Sequence, residues 1–474
     1  MSKKISPLRE FITGKLPKLL PILVVLAGGL LLRAYHLGNY SFDFDQVQIA
    51  ENSQRILAGQ PTLIGPRTGP AAMFTGPLIY YTTALFMLVV EPPLAVANNA
   101  LFLAVVTGSL IYFLTRHYRD EPTALIMTSL WAFSPFIIKL DRTPWNPNLM
   151  LMAAALVFLP MLKKDRLKLG DGGLIGLGVF LGYQAHFAGL LLPPLAIFSL
   201  LIRREFSWKP YALAAAGFFT SIVPTILFDL RHNWLNLTGL LGLITNKDNT
   251  ASYQLLPRLS QKLIIVIETL GKLLLEGKTQ PVLVATGLLI LGFWIFKQLA
   301  HSSQPEKLRP RLTQPLQLVT AWLIITAVAF AFYRGSTPEY YFLGVVPVLM
   351  LVLAESLLKL NIFKKSFSPI LFIVGLFLIG AITTQQNYQT SHHFSVAKQN
   401  TALSLINQIN LEEGVAEIIY DVEPVHAVGI KYLINEAQFK PAATGQKVHV
   451  IFPYTNGEYT HLIENNAAIW VEPN

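Results

Sequence analysis

Apolar runs recur along most of the chain, at about 19–37, 94–115, 122–139, 149–162, 172–185, 187–202, 210–228, 281–298, 314–333, 340–358 and 368–385. A helix needs ~20 apolar residues to cross the hydrocarbon of a bilayer, and lipid is the only solvent that accepts so many such runs. Several of them are shorter than that, so their helices extend into the flanking residues. Composition agrees: 53% of residues are hydrophobic and only 14% are charged, where a soluble domain carries about 25% charged residues. The sequence therefore predicts an all-α polytopic membrane protein with about eleven transmembrane helices.

The formal net charge is +10. A basic protein that binds nucleic acid needs a basic face on a folded domain. Here the lysines and arginines stand between apolar runs, where they report topology. Lys3, Lys4, Arg9, Lys15 and Lys18 precede the first run and place the N-terminus in the cytoplasm. That run has no A-x-A-like cleavage site and is read as a retained helix. Residues 77–91 decide the rest. If they lie in the interface or re-enter, more than half of the chain's 37 basic residues fall in short cytoplasmic segments. If they span, the clusters at 116–119 and 163–168 fall outside. The first alternative is adopted, with the C-terminus outside. It predicts a multi-pass protein of the inner (plasma) membrane. The first external loop is then 38–93, followed by 140–148, a turn at His186, the loop 229–280 and a turn at 334–339. Within 229–280, residues 261–275 alternate apolar and basic side chains, as an interfacial helix does. Two regions follow: a membrane domain over 1–385 and a small extracytoplasmic α/β domain over 386–474. In the tail, 416–420 and 447–452 read as strands and 396–410 as a helix. The absence of cysteine removes disulfide and thiolate chemistry.

The external segments hold the residues competent for chemistry. Asp43 and Asp45 lie just past the first run, before a stretch from Gln46 to Leu57 with helical spacing that Asp45 is placed to cap. A helix cap with solvated acids is the bland alternative. Gly65-Pro66, Gly69-Pro70 and Gly76-Pro77 stiffen the following loop, which carries Arg67, a phosphate ligand or an interfacial anchor. The second loop holds Asp141, Arg142, Trp145, Asn146 and Asn148; the asparagines either bind a hydroxylated ligand or complete the turn. His186 sits between two apolar runs, where a histidine needs a partner or water. Arg231 and His232 follow another run. Arg334, Glu339, Tyr340 and Tyr341 end a further external turn.

Six short motifs stand in one order: FDFDQ (42–46), LIGP (63–66), TGPLIYY (75–81), WNPN (145–148), YQAHFAGLLLPP (183–194) and FDLRHNW (228–234). In this the chain resembles the GT-C class of membrane glycosyltransferases, in the group of protein O-mannosyltransferases and bacterial aminoarabinose lipid A transferases. It is most similar to a bacterial branch described as dolichyl-phosphate-mannose-protein mannosyltransferase-like. The resemblance implies transfer of a hexosyl or pentosyl group from a polyprenyl-phosphate sugar to a protein, lipid or glycan acceptor, with no nucleic acid involved. It implies Asp45 as base or acceptor-orienting acid. The family's Asp-Glu pair is Asp45-Gln46 here, with Asp43 as the substitute acid. Arg67, Arg231 and Arg334 become donor-phosphate ligands, supported by His186 and His232. Gln46, Asn146, Asn148, Glu339 and Tyr340 become sugar or acceptor contacts. A divalent metal is a possibility of the family, but the asparagines replace an acid and no ligand cluster is legible. A transporter or flippase is the alternative class. It expects repeats and midplane charges, and the chain shows no repeat and few ionisable residues in its runs.

Overall fold

The computed structural model describes residues 16–68, 73–205, 207–245, 254–302, 309–333, 335–360, 368–389, 394–423, 426–453, 459–463 and 467–472. Every expected run lies on a helix. In chain order these are α1 (Leu16–Ala34), α2 (Phe44–Leu57), α3 (Leu78–Met87), α4 (Pro92–Tyr118), α5 (Glu121–Phe133), α6 (Pro135–Asp141), α7 (Leu149–Phe158), α8 (Leu169–Ala185) and α9 (Leu192–Ile202). Then come α10 (Trp208–Asp229), α11 (Leu235–Thr245), α12 (Leu255–Leu275), α13 (Gln280–Ser302), α14 (Arg309–Phe332), α15 (Val346–Leu358) and α16 (Ser368–Tyr388). Among the described residues six helical stretches are long and apolar enough to span alone, and α5 with α6 makes a seventh, bent by 59°. The segments 19–34, 146–162 and 187–202 are shorter apolar helices. At about 1.5 Å per residue, the ten residues of α3 reach only half-way across a bilayer.

The bend has a local cause. Pro135 offers no N–H to the carbonyl one turn earlier. In lipid such a carbonyl needs another donor. Arg33, from the last turn of α1, supplies it: its guanidinium donates to Trp131 O at 2.7 Å and Ala132 O at 3.1 Å, and it lies over the Trp131 ring at 4.2 Å. Its charge is met by Asp141 at 2.8 Å, with both side chains buried. Arg142 then donates to Arg33 O at 2.7 Å and packs over the Tyr388 ring. One buried cluster thus joins α1, the broken span and α16.

Helix α15 is buried over almost its whole length, whereas α10, α13 and α16 leave Phe219, Leu289 and Leu371 uncovered, as lipid-facing helices do. Helices α8 and α10 cross closely. A Cβ on Gly217 would stand 2.0 Å from Gly176 O, so only glycine permits this approach.

The tail holds α17 (Val396–Glu412), β1 (Val415–Asp421), α18 (Val428–Glu436), β2 (Gln446–Ile451), β3 (His461–Ile463) and β4 (Ala467–Val471). The sheet order is β1-β2-β4-β3. Strands β1 and β2 are parallel, joined across α18 as a parallel pair requires, and the other pairs are antiparallel. Val448, Val450, Ile469, Ile406 and Ile430 form its apolar core.

Candidate active site

The segment entering α2 is fixed by the tail. Phe42 N donates to Phe394 O at 2.9 Å, Gln399 Nε2 donates to Phe42 O at 2.8 Å, and the Phe42 ring meets Tyr432 edge-on at 5.5 Å. This anchoring sets where the helix begins. The cap is Asp43, not Asp45: its backbone is extended and its Oδ1 accepts Phe44 N at 2.8 Å. Gln46 Oε1 accepts Asp43 N at 3.1 Å, completing a capping box. The other Asp43 oxygen lies 2.5 Å from His426 Nδ1, whose ring stacks on Phe394. Both oxygens of Asp43 are therefore engaged. Gln46 also reaches Pro144 O at 3.4 Å, tying α2 to the second external loop.

Asp45 is different. Its carboxylate is half-buried and makes no hydrogen bond or ion pair with any described residue. Burial, with the negative charge of Asp43 second, holds its pKa above the ordinary aspartate value. Tyr80 and Tyr340 lie within its field.

Tyr340 belongs to an aromatic wall. It packs on Trp145 at 4.6 Å and on His186 at 5.5 Å, and His186 meets Tyr341 at 4.7 Å. His186 ends α8, and its Nδ1 accepts Ala188 N–H at 3.2 Å. Burial drives its pKa down to about 3, so it acts as a neutral ring and not as a cation. Asn148 is bonded within its own turn, accepting Trp145 Nε1 at 3.0 Å and donating to Thr143 O at 2.7 Å. Asn146 donates to Ala185 O and so joins the loop to the end of α8.

Arg67 and His232 are linked through a second set of contacts, and Arg231 precedes His232 in sequence. Arg67 is exposed and pairs through its backbone with Phe74. Phe74 N donates to Asn236 Oδ1 at 2.5 Å, and its ring meets Phe228, on which His232 stacks at 3.8 Å. Asp229 accepts the backbone N–H groups of Asn236 and Leu237 at 2.9 and 3.0 Å and caps α11. The side chains of Arg67 and Arg231 have no ion partner among the described residues. The loop carrying Arg67 also meets the end of α8, through Gly76 N to Tyr183 O at 3.4 Å and Leu78 N to Gln184 Oε1 at 3.2 Å. The aromatic wall and the loop that carries Arg67 thus share one end of α8. Arg334 lies outside the described residues.

Sequence reasoning missed the lysines. Glu339 stands between Lys139 at 2.6 Å and Lys272 at 3.0 Å. Lys262 is 6% exposed, and its ammonium donates to Thr337 at 2.6 Å with no carboxylate partner among the described residues. Neighbouring Arg258 donates to Tyr333 O at 3.3 Å. The basic spacing of α12 was the available signal. Beside Tyr333 an apolar cavity of ≈ 330 Å³ opens, lined by Phe187, Leu190, Leu191, Leu240, Phe330 and Tyr333 among others. Phe187 and Tyr333 both touch Tyr341, so the cavity adjoins the aromatic wall. Among the described residues no group of three or more His, Asp or Glu side chains is placed to hold a metal. Asp43 is committed to its cap and to His426, and its charge acts on Asp45 from there.

No protein-family model matches the chain, and no curated protein does. Solved structures share its fold. ArnT from Cupriavidus metallidurans bound to undecaprenyl phosphate superposes with a TM-score of 0.57 at 13% identity, covering 90% of this chain and 93% of ArnT. The apo state of ArnT gives 0.56 at 12%. The Archaeoglobus fulgidus oligosaccharyltransferase in complex with Zn and sulfate gives 0.50 at 13%, covering 82% of this chain and 55% of that one. The chain therefore has the GT-C fold of polytopic membrane glycosyltransferases.

Proposed function

We propose that this protein transfers a sugar from a polyprenyl-phosphate-linked donor to an acceptor hydroxyl at the extracytoplasmic membrane surface, with inversion and with Asp45 as base. The observation that carries this reading is the half-buried Asp45 carboxylate, which has no partner among the described residues and is set against an aromatic wall that adjoins an apolar cavity of ≈ 330 Å³. The likeness to ArnT bound to undecaprenyl phosphate supports the donor class.

The apolar cavity accepts the end of the polyprenyl chain. Lys262 and Arg258 at its edge take the phosphate, whose charge grows as the glycosidic bond breaks. Arg67, Arg231 and Arg334 are further candidates for it. The sugar stacks on Tyr340 and Trp145, with Glu339 and Asn146 as polar contacts. The acceptor oxygen attacks the anomeric carbon as the bond from that carbon to the phosphate oxygen breaks. Asp45 receives the acceptor proton, and the lipid phosphate leaves. A carboxylate with raised proton affinity is a better base than a solvated one.

The test is transfer from a radiolabelled polyprenyl-phosphate sugar by the purified protein in nanodiscs. Asp45→Asn keeps size and helix position, and should lower kcat/KM by about 10²–10⁴-fold, the range of a general base, while donor binding persists. Full activity in that variant would remove Asp45 from the reaction.

A further inference from the structure

A second cavity, lined by charged side chains and of ≈ 530 Å³, lies at the other end of the bundle; its lining includes Tyr118, Arg119, Lys163, Lys164, Lys168 and Asp171. Its position follows from two helices. Tyr40, at the entry to the Asp45 helix, bonds Pro93 at the start of α4. The 27 residues of α4 rise ~40 Å to Tyr118. Tyr118 in turn donates to Asp171 at 2.7 Å in the first turn of α8, whose far end carries His186. The cavity therefore lies on the membrane face opposite Asp45 and takes no part in the reaction proposed above.

The site is built. Asp171 accepts Tyr118 OH, Lys168 N at 2.6 Å and the Lys163 ammonium. Arg119 is paired with buried Glu355. Arg203 holds the wall by donating to Met161 O at 2.6 Å and Asp165 O at 2.8 Å. These pairs leave the ammonium groups of Lys164 and Lys168 exposed and without partners among the described residues, with Asp165 as the remaining acid of the lining. Apolar side chains flank them. Leu169, beside Lys168, is 64% exposed, and Phe113, one turn before His117 on α4, is 55% exposed.

Unpaired cations in a concave site with uncovered apolar side chains at its rim match a phosphate that carries acyl chains. We infer that this cavity binds the headgroup of an anionic phospholipid of the leaflet opposite the transfer site, with Lys164 and Lys168 on its phosphate and its chains along Phe113 and Leu169.

The experiment measures retention of phosphatidylglycerol and phosphatidylcholine by the full chain in detergent, using native mass spectrometry. The intact protein should prefer phosphatidylglycerol, and Lys164→Gln with Lys168→Gln should weaken that binding about 30-fold. A second variant guards against misfolding. A Cβ at Gly170 meets nothing within 4 Å, and an acid in the first turn of a helix is favourable. Gly170→Glu should therefore keep the thermal midpoint and still lose the lipid. Equal retention by the intact protein and both variants overturns the proposal. Complete displacement by about 10 mM inorganic phosphate also overturns it, because the occupant would then be a soluble anion.

Discussion

Substitutions at Asp43 separate two jobs that one side chain performs. Its Oδ1 caps α2 and its Oδ2 meets His426. Loss of an N-cap costs about 1 kcal/mol. The imidazole–carboxylate pair has side chains 35% and 18% exposed, so solvent screening limits it to about 0.2–1 kcal/mol. Asp43→Ala removes both, roughly 1–2 kcal/mol of local stability. Amide exchange in residues 44–57 should then accelerate about 5–30-fold. Asp43→Asn keeps a competent cap and removes the charge, so exchange should stay near that of the intact protein. The electrostatic effect appears instead in the pH profile. Burial raises the Asp45 pKa and the Asp43 charge raises it further. The acid limb of kcat/KM, which reports the base of the free enzyme, should move to lower pH in Asp43→Asn. Equal acceleration in both variants would refute the cap as the main restraint. No acceleration in either would show that the tail alone holds the helix. An unmoved acid limb would mean that Asp45 is not the titrating base.

Two further outcomes follow from groups buried in the bundle. Lys262→Met keeps length and apolar bulk but deletes the ammonium that bonds Thr337; donor binding should weaken at least tenfold with little change in thermal midpoint, measured by transfer kinetics at varied donor, and unchanged KM would exclude Lys262 from the phosphate. Arg33→Met strands Asp141 and the Trp131 carbonyl; it should destabilise the protein by about 3–5 kcal/mol, read as a lowered thermal midpoint in detergent, and an unchanged midpoint would show that water already reaches the bend.

What was legible in the sequence was what depends on neighbours along the chain. Each apolar run became a helix, residues 416–420 and 396–410 fall in β1 and α17, and 447–452 overlaps β2, which ends one residue earlier at Ile451. Even the capping box was present as Asp43-x-x-Gln46, yet its place was read two residues late. The helix start depends on how Phe42 is held by Phe394 and Gln399, and those partners lie hundreds of residues away. Lys262 escaped for the same reason, since its meaning comes from Thr337, 75 residues further on. The bend before Pro135 was hidden by apolar continuity: the run 122–139 reads as one span, and the carbonyls it frees are satisfied by Arg33 from another helix.

These long-range contacts bear on the site's chemistry. A base is effective when its geometry is set before the substrate arrives. The Asp45 side chain makes no bond with any described residue, so its position rests on α2. That helix is held from three directions: by Gln46 on Pro144, by Ser53 on Tyr80 O of α3 at 2.9 Å, and by the tail through Phe42, Asp43 and the Gln54–Glu436 bond at 3.0 Å. The contacts at Phe42 and Asp43 lie where the N-terminus of α2 would otherwise fray, and the Gln54 contact holds its last turn. The α/β unit of the tail is thus part of the framework that positions Asp45, the base proposed above.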